Sequence, residues 1–207
     1  GLRFDYFEPD FEVPVNLSLY HLEEVVDPIT GLQISNRQTA DPTYQISPRL
    51  GVAFPISEAG VMRFSAGLFF QTPQLNLLYT NNEFERSEGA DRYTIGNANL
   101  EPERTLQFEV GLQQGLSETM GLDLTVFSKD IRELSGQTAV RGSIGAPVGR
   151  LENIDYGTVK GITLSLFERG KGEVSWTVDY TLQFANGSAS NPAERFNRFV
   201  TNSDQII

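Results

Sequence analysis

Seven carboxylates crowd one stretch of this chain: Glu8, Asp10, Glu12, Glu23, Glu24, Asp27 and Asp41, against a single base, Arg37. Hard cations are held by several carboxylate oxygens at once, so a calcium site is one chemistry the stretch could support. Its spacing fits no known binding loop, and a solvated acidic loop explains it more simply. The one histidine, His21, has no second His and no Cys to share a transition metal with, and its plainer role is a loop residue. A Ser-His-Asp triad would have to use it, and no G-x-S-x-G turn is present. No enzyme activity, resident metal or cofactor is expected. A second group, Tyr79, Arg86, Asp91, Arg92 and Tyr93, combines rings and guanidinium groups in a loop. Such side chains can grip a ligand, and these five are the candidate substrate-binding residues. Gly142–Gly149 is glycine-rich but does not join a strand to a helix, so it makes no phosphate cradle.

The bulk numbers narrow the choice of partner. A formal net charge of −11 repels a phosphate backbone, so no nucleic-acid partner is expected. With no Cys there are no disulfides and no thiol chemistry. No run of 18 apolar residues exists, which excludes a transmembrane helix. It does not exclude a membrane crossed by strands, which need apolar residues only at alternate positions. The mean hydropathy of −0.26 is compatible with that. The run Asn186-Gly187-Ser188-Ala189-Ser190-Asn191-Pro192 is turn and loop chemistry.

The elements that must position these groups are strands. Seven segments alternate apolar and polar residues: Leu2–Phe7, Tyr44–Phe54, Val61–Phe70, Arg104–Gln114, Met120–Lys129, Thr158–Glu168 and Glu173–Ala185. In the fourth, Leu106, Phe108, Val110 and Leu112 share one face, and Thr105, Gln107, Glu109, Gly111 and Gln113 the other. That is the period of a strand with one apolar side. The links Pro55–Gly60, Gly115–Thr119 and Arg169–Gly172 are tight. Glu8–Thr43, Gln71–Glu103 and Asp130–Gly157 run to 36, 33 and 28 residues. Short turns at one end and long loops at the other are the pattern of a transmembrane β-barrel. Eleven residues at roughly 3.3 Å each, tilted by about 40°, span about 28 Å, close to the apolar band of such a barrel. A soluble β-sandwich alternates in the same way, though its strands are shorter. On the barrel reading Arg3, Asp5, Arg49, Arg63, Glu109, Asp123 and Asp179 face the lumen. Phe54, Phe69, Phe70, Tyr79, Tyr44 and Phe184 would supply interfacial girdles. Seven strands cannot close a bacterial barrel, so residues 1–207 are expected to be part of one larger barrel domain.

Four motifs then carry a resemblance. Ile46-Ser47-Pro48-Arg49-Leu50-Gly51 with Phe54-Pro55-Ile56-Ser57 resembles the ISPRLG…YPIS stretch of TonB-dependent outer-membrane receptors. Phe64-Ser65-Ala66-Gly67 with Phe69-Phe70-Gln71-Thr72-Pro73 is similar to their FSYGxFYQxP segment. Gly96-Asn97-Ala98-Asn99-Leu100-Glu101-Pro102-Glu103 resembles GNPxLKPE, with Ala98 in place of Pro and Glu101 in place of Lys. Tyr156-Gly157 through Lys160-Gly161 resembles YGxVKG. The resemblance implies an all-β, antiparallel, up-and-down transmembrane barrel, of which this chain supplies about seven strands of about 22. It implies an outer-membrane importer of a scarce nutrient such as a siderophore, cobalamin, glycan or peptide. The energy would come from the TonB complex through a plug region N-terminal to these strands, and the lipid bilayer is the other partner. A passive porin or structural barrel, and a secreted β-sandwich binding module, are the alternatives.

Overall fold

The computed structural model describes residues 1–19, 22–81, 93–141, 147–170 and 174–188. In chain order it holds strands β1 (Leu2–Phe7), β2 (Glu12–Pro14), β3 (Glu24–Val26), β4 (Gln33–Ser35), β5 (Arg37–Thr39), β6 (Thr43–Ser57) and β7 (Gly60–Gln71). A short helix, α1 (Leu75–Tyr79), follows. Then come β8 (Tyr93–Ile95), β9 (Glu103–Gly115), β10 (Met120–Arg141), β11 (Pro147–Glu168) and β12 (Trp176–Gly187). The long strands make one antiparallel sheet in the order β1-β6-β7-β9-β10-β11-β12, and β8 adds a short parallel pairing to β11. All seven expected strands are present. The sheet is open, since β1 and β12 each have one neighbour on this path, and it forms part of a barrel wall.

The alternation holds across neighbouring strands. Met62, Leu112, Leu124, Leu164 and Tyr180 lie opposite one another in a single row from β7 to β12. Phe64, Val110, Val126, Ile162 and Leu182 make the next apolar row. Between them runs a polar row on the other face: Arg63, Gly111, Thr125, Thr163 and Thr181. The apolar side is bare. Phe108 is 52% exposed, Val126 50% and Val178 60%. A sandwich would cover this side with a second sheet. Among the described residues nothing does, and a patch five strands wide is far larger than a soluble surface ordinarily carries.

Every buried apolar side chain among the described residues lies elsewhere. Val13, Ala40, Leu78, Ile95, Ala98 and Leu100 all belong to the layer of links at the end opposite the short turns. Val13, Ala40 and Ala98 form its core, with Phe11 and Tyr79 packed against them. The Glu8–Thr43 link is therefore not an unstructured loop. It folds into two small antiparallel pairs, β2–β5 and β3–β4.

The expected link Asp130–Gly157 is corrected more sharply. β10 continues to Arg141 and β11 begins at Pro147, so most of this stretch is a paired hairpin. The alternation is disguised at Glu133, whose φ of 60° lies in the left-handed region, within a register shift between Ile131 and Leu134. Above that bulge β10 leaves β9, whose last pair is Arg104 with Arg132, and stays with β11 alone. Strands of 22 residues reach roughly 70 Å, so their upper halves project well beyond an apolar band of about 25 Å. Pro147–Gly149 of the glycine-rich run is strand, and 142–146 lie outside the described residues. At the other end β12 begins at Trp176 rather than Glu173.

The aromatic girdle is also partly redrawn. Phe54 and Phe64 stack at 5.8 Å on the apolar face near the short turns, and Tyr44 packs 5.2 Å from Tyr6 on the same face higher up. Phe70 and Phe184 share that outward parity. Phe69 does not. It shares the parity of Arg63 and Ser65 and lies under the Arg49 guanidinium at 4.4 Å. Tyr79 sits in the loop core, away from the wall.

Candidate functional site

Two polar surfaces could meet a solute: the layer of links and the polar face of the wall. The first is organised by Gly96–Pro102. Gly96 donates its N–H to the Thr80 carbonyl at 2.7 Å, and Asn97 donates its own to Leu77 at 3.0 Å, which clamps α1. A Cβ on Gly96 would fall 2.7 Å from Leu78 O and Thr80 N, so the close approach needs glycine. Ala98, where the resembling motif has proline, is buried against the core. Asn99 Oδ1 accepts the Asp41 N–H at 2.8 Å, which fixes the end of the first link. Asn97 Nδ2 donates to Leu151 O, and Asn153 exchanges two hydrogen bonds with the Glu101 backbone at 2.8 and 2.9 Å. Asn153 also donates to Glu133 O at 2.8 Å, securing the bulge. One short motif thus joins the first link, α1 and the projecting hairpin.

The candidate binding residues distribute unevenly over this layer. Tyr79 is half-buried; its hydroxyl donates to Pro9 O at 2.8 Å and its ring meets Phe11 edge-on at 5.3 Å. Tyr93 opens β8, opposite Val148 of β11. Arg86, Asp91 and Arg92 lie outside the described residues, as does His21. Among the described residues no group of three or more His, Asp or Glu could hold a metal ion. The acidic residues of the first link are spread over its short strands and turns instead. Glu8 accepts from the Tyr6 hydroxyl at 2.6 Å. Asp27 caps the β3–β4 turn, accepting from Ile29 N–H at 2.8 Å and from the Thr30 hydroxyl at 2.7 Å. The first of these bonds, then the second, holds its carboxyl below the usual range.

Between the layer and the wall lies a hollow of about 270 Å³, lined by Thr43, Gln45, Phe70, Glu101, Arg104 and Glu133. It opens where β6 and β7 part: their pairing ends at Arg49 with Gly67, and above it β6 pairs with β1 and β7 with β9. Thr43 Oγ1 is buried there without a hydrogen-bond partner. No sequence signal marks this hollow, because it depends on where two strands stop pairing.

The polar face carries the charged residues the alternation assigns to it. Arg63 Nη2 donates to both Asp123 oxygens at 2.7 Å, crossing the intervening strand over Gly111, where a Cβ would stand 3.1 Å from the guanidinium. Glu109 accepts from the Ser65 hydroxyl at 3.0 Å and the Gln107 amide at 2.6 Å. Together they frame a second hollow of about 270 Å³. Arg3 pairs with Asp5 at 2.6 Å. Asp179 shares this face, opposite Ser165. Two further glycines lie against rings, Gly161 against Phe127 and Gly121 against Phe167, which explains aromatics on an otherwise polar side.

The family description "TonB dependent receptor-like, beta-barrel" matches residues 1–205. Comparison with curated proteins gives no match. Among solved structures, the copper transporter OprC is 17% identical with a TM-score of 0.51, covering 96% of this chain and 27% of that one. The siderophore receptor PirA from Pseudomonas aeruginosa is 16% identical, TM-score 0.53, covering 75% and 32%. The outer membrane transporter YddB from Escherichia coli is 13% identical, TM-score 0.58, covering 80% and 25%. The chain thus spans about a quarter to a third of these relatives' length.

Proposed function

We propose, from the premise that this chain belongs to the TonB-dependent receptor β-barrel family of the bacterial outer membrane, that it forms part of an active importer. In this reading the whole protein binds a scarce nutrient at the upper links and admits it through the lumen. The carrying observation is the inverted wall, with bare apolar rows on one face and the Arg63–Asp123 and Ser65–Glu109–Gln107 contacts on the other. Those contacts line a water-filled or plugged passage, while the apolar rows meet acyl chains. The nutrient belongs to the siderophore, cobalamin, glycan or peptide classes. Tyr79, Arg86, Asp91, Arg92 and Tyr93 are the residues that contact it. Energy comes from the TonB complex through a plug domain N-terminal to these strands.

The test is uptake by cells expressing the whole protein, with and without TonB, for one labelled ligand of each class. Accumulation of one ligand that is lost without TonB, and weakened when Arg86 and Arg92 are both changed to Ala, is the expected result. Uptake that is unchanged without TonB would make the protein a passive porin.

A further inference from the structure

One cavity opens on the outward face. A groove of about 530 Å³ lies there, among side chains that the wall turns away from the lumen. Its floor is the row Val110, Val126, Ile162 and Leu182. The row above it reads Phe108, Ser128, Lys160 and Phe184. The small Ser128 leaves a notch between the two phenyl rings, and that notch makes the groove. Lys160 stands at its rim, exposed, with no ion pair among the described residues. The nearest carboxylate on the same face, Asp130, is held by Arg132 at 2.6 Å.

A lone ammonium on an apolar belt is costly unless an anion meets it or it reaches the interface. Its height says which interface. Lys160 lies eight positions from Glu168 at the short-turn end, roughly 26 Å along the strand and about 20 Å across the bilayer at a tilt near 40°. Short turns mark the periplasmic side, so the Lys160 backbone lies about 5 Å below the outer edge of an apolar band about 25 Å tall, and its flexible stem carries the ammonium up to the outer-leaflet headgroups. We propose that this groove binds one phosphorylated glycolipid of the outer leaflet, an acyl chain in the notch above Val126 and a headgroup phosphate on Lys160. Thr158 and Asn186, one row higher, lie on the headgroup side of the phosphate. The inference depends on the outward face meeting lipid and not on which nutrient is carried or how import is energised.

The experiment is native mass spectrometry of the whole receptor in detergent, titrated with bisphosphorylated lipid A and, separately, with phosphatidylglycerol. Lys160→Ala should weaken lipid A binding about fivefold, the worth of one basic group near an anionic surface. Lys160→Arg should retain it. Lys129→Ala, which removes the same charge from the opposite face one residue from Ser128, should leave it unchanged. Ser128→Phe should fill the notch and reduce binding with the charge intact. Equal binding by Lys160→Ala and the parent, an equal loss in Lys129→Ala, or phosphatidylglycerol binding as tightly as lipid A would overturn the assignment.

Discussion

The wall and the layer of links dispose of their apolar side chains in opposite senses. In the wall, Phe108, Val126 and Val178 stand open while Arg63 and Asp123 pair on the other side. In the layer, Val13, Leu78 and Ala98 are buried, and Glu8, Asp10, Glu12 and Asp41 are exposed. One chain therefore obeys two rules of burial within a few tens of ångströms. The difference is one of solvent: the layer excludes water from its apolar groups in the ordinary way, whereas the wall's exterior has no water to exclude. The border is marked by the chain itself. It falls near Asp130 and Arg132, where β10 bulges, parts from β9 and climbs out of the band.

The comparison breaks most visibly with a charge. Leu164 lies two rows above the short-turn end, near the middle of the band. Leu164→Arg should cost about 2–4 kcal/mol of barrel stability, whereas Thr163→Arg, one residue along on the polar face, should cost under about 0.5 kcal/mol. Urea unfolding of the whole protein in lipid vesicles reads both. Trp176, by contrast, donates its indole N–H to Glu168 at 2.6 Å at the edge of the band, so a charge there should be far better tolerated. A smaller and more local effect is expected in the layer. Gly96→Val places methyl groups against the α1 backbone and should cost about 1–3 kcal/mol. Faster hydrogen exchange at Leu77–Thr80 and 96–101 should accompany it, with β9 to β12 unchanged. Loss of protection throughout the wall would mean that layer and wall are one cooperative unit.

Much of the wall was legible because a period of two survives in the sequence wherever both faces have consistent surroundings. Arg104–Gln114 and Thr158–Glu168 fall within a residue or so of β9 and of the lower half of β11. The upper halves of β10 and β11 were not legible, because the left-handed residue Glu133 shifts the register and pairing there is with each other alone. Parity could have moved Phe69 inward, since Arg63, Ser65 and Gly67 share its face. The contacts of Tyr79 could not have been foreseen, because nothing in the sequence tells that its ring packs on Phe11 and its hydroxyl reaches Pro9 O. The hub formed by Asn97, Asn99 and Asn153 was half-visible: the GNANLEPE motif stood out, but Asn153 carried no signal of its contact with Glu101, 52 residues away.

The central claim is that the apolar rows face lipid. Because the chain has no Cys, single cysteines can be placed along β11 from Thr158 to Phe167, in a whole receptor cleared of any others, and spin-labelled in vesicles. Oxygen, which partitions into lipid, should relax labels most at 162, 164 and 166, and a water-soluble nickel chelate should favour 161, 163 and 165. A flat profile along β11, or one with the two sets exchanged, would contradict the outward assignment of the apolar face.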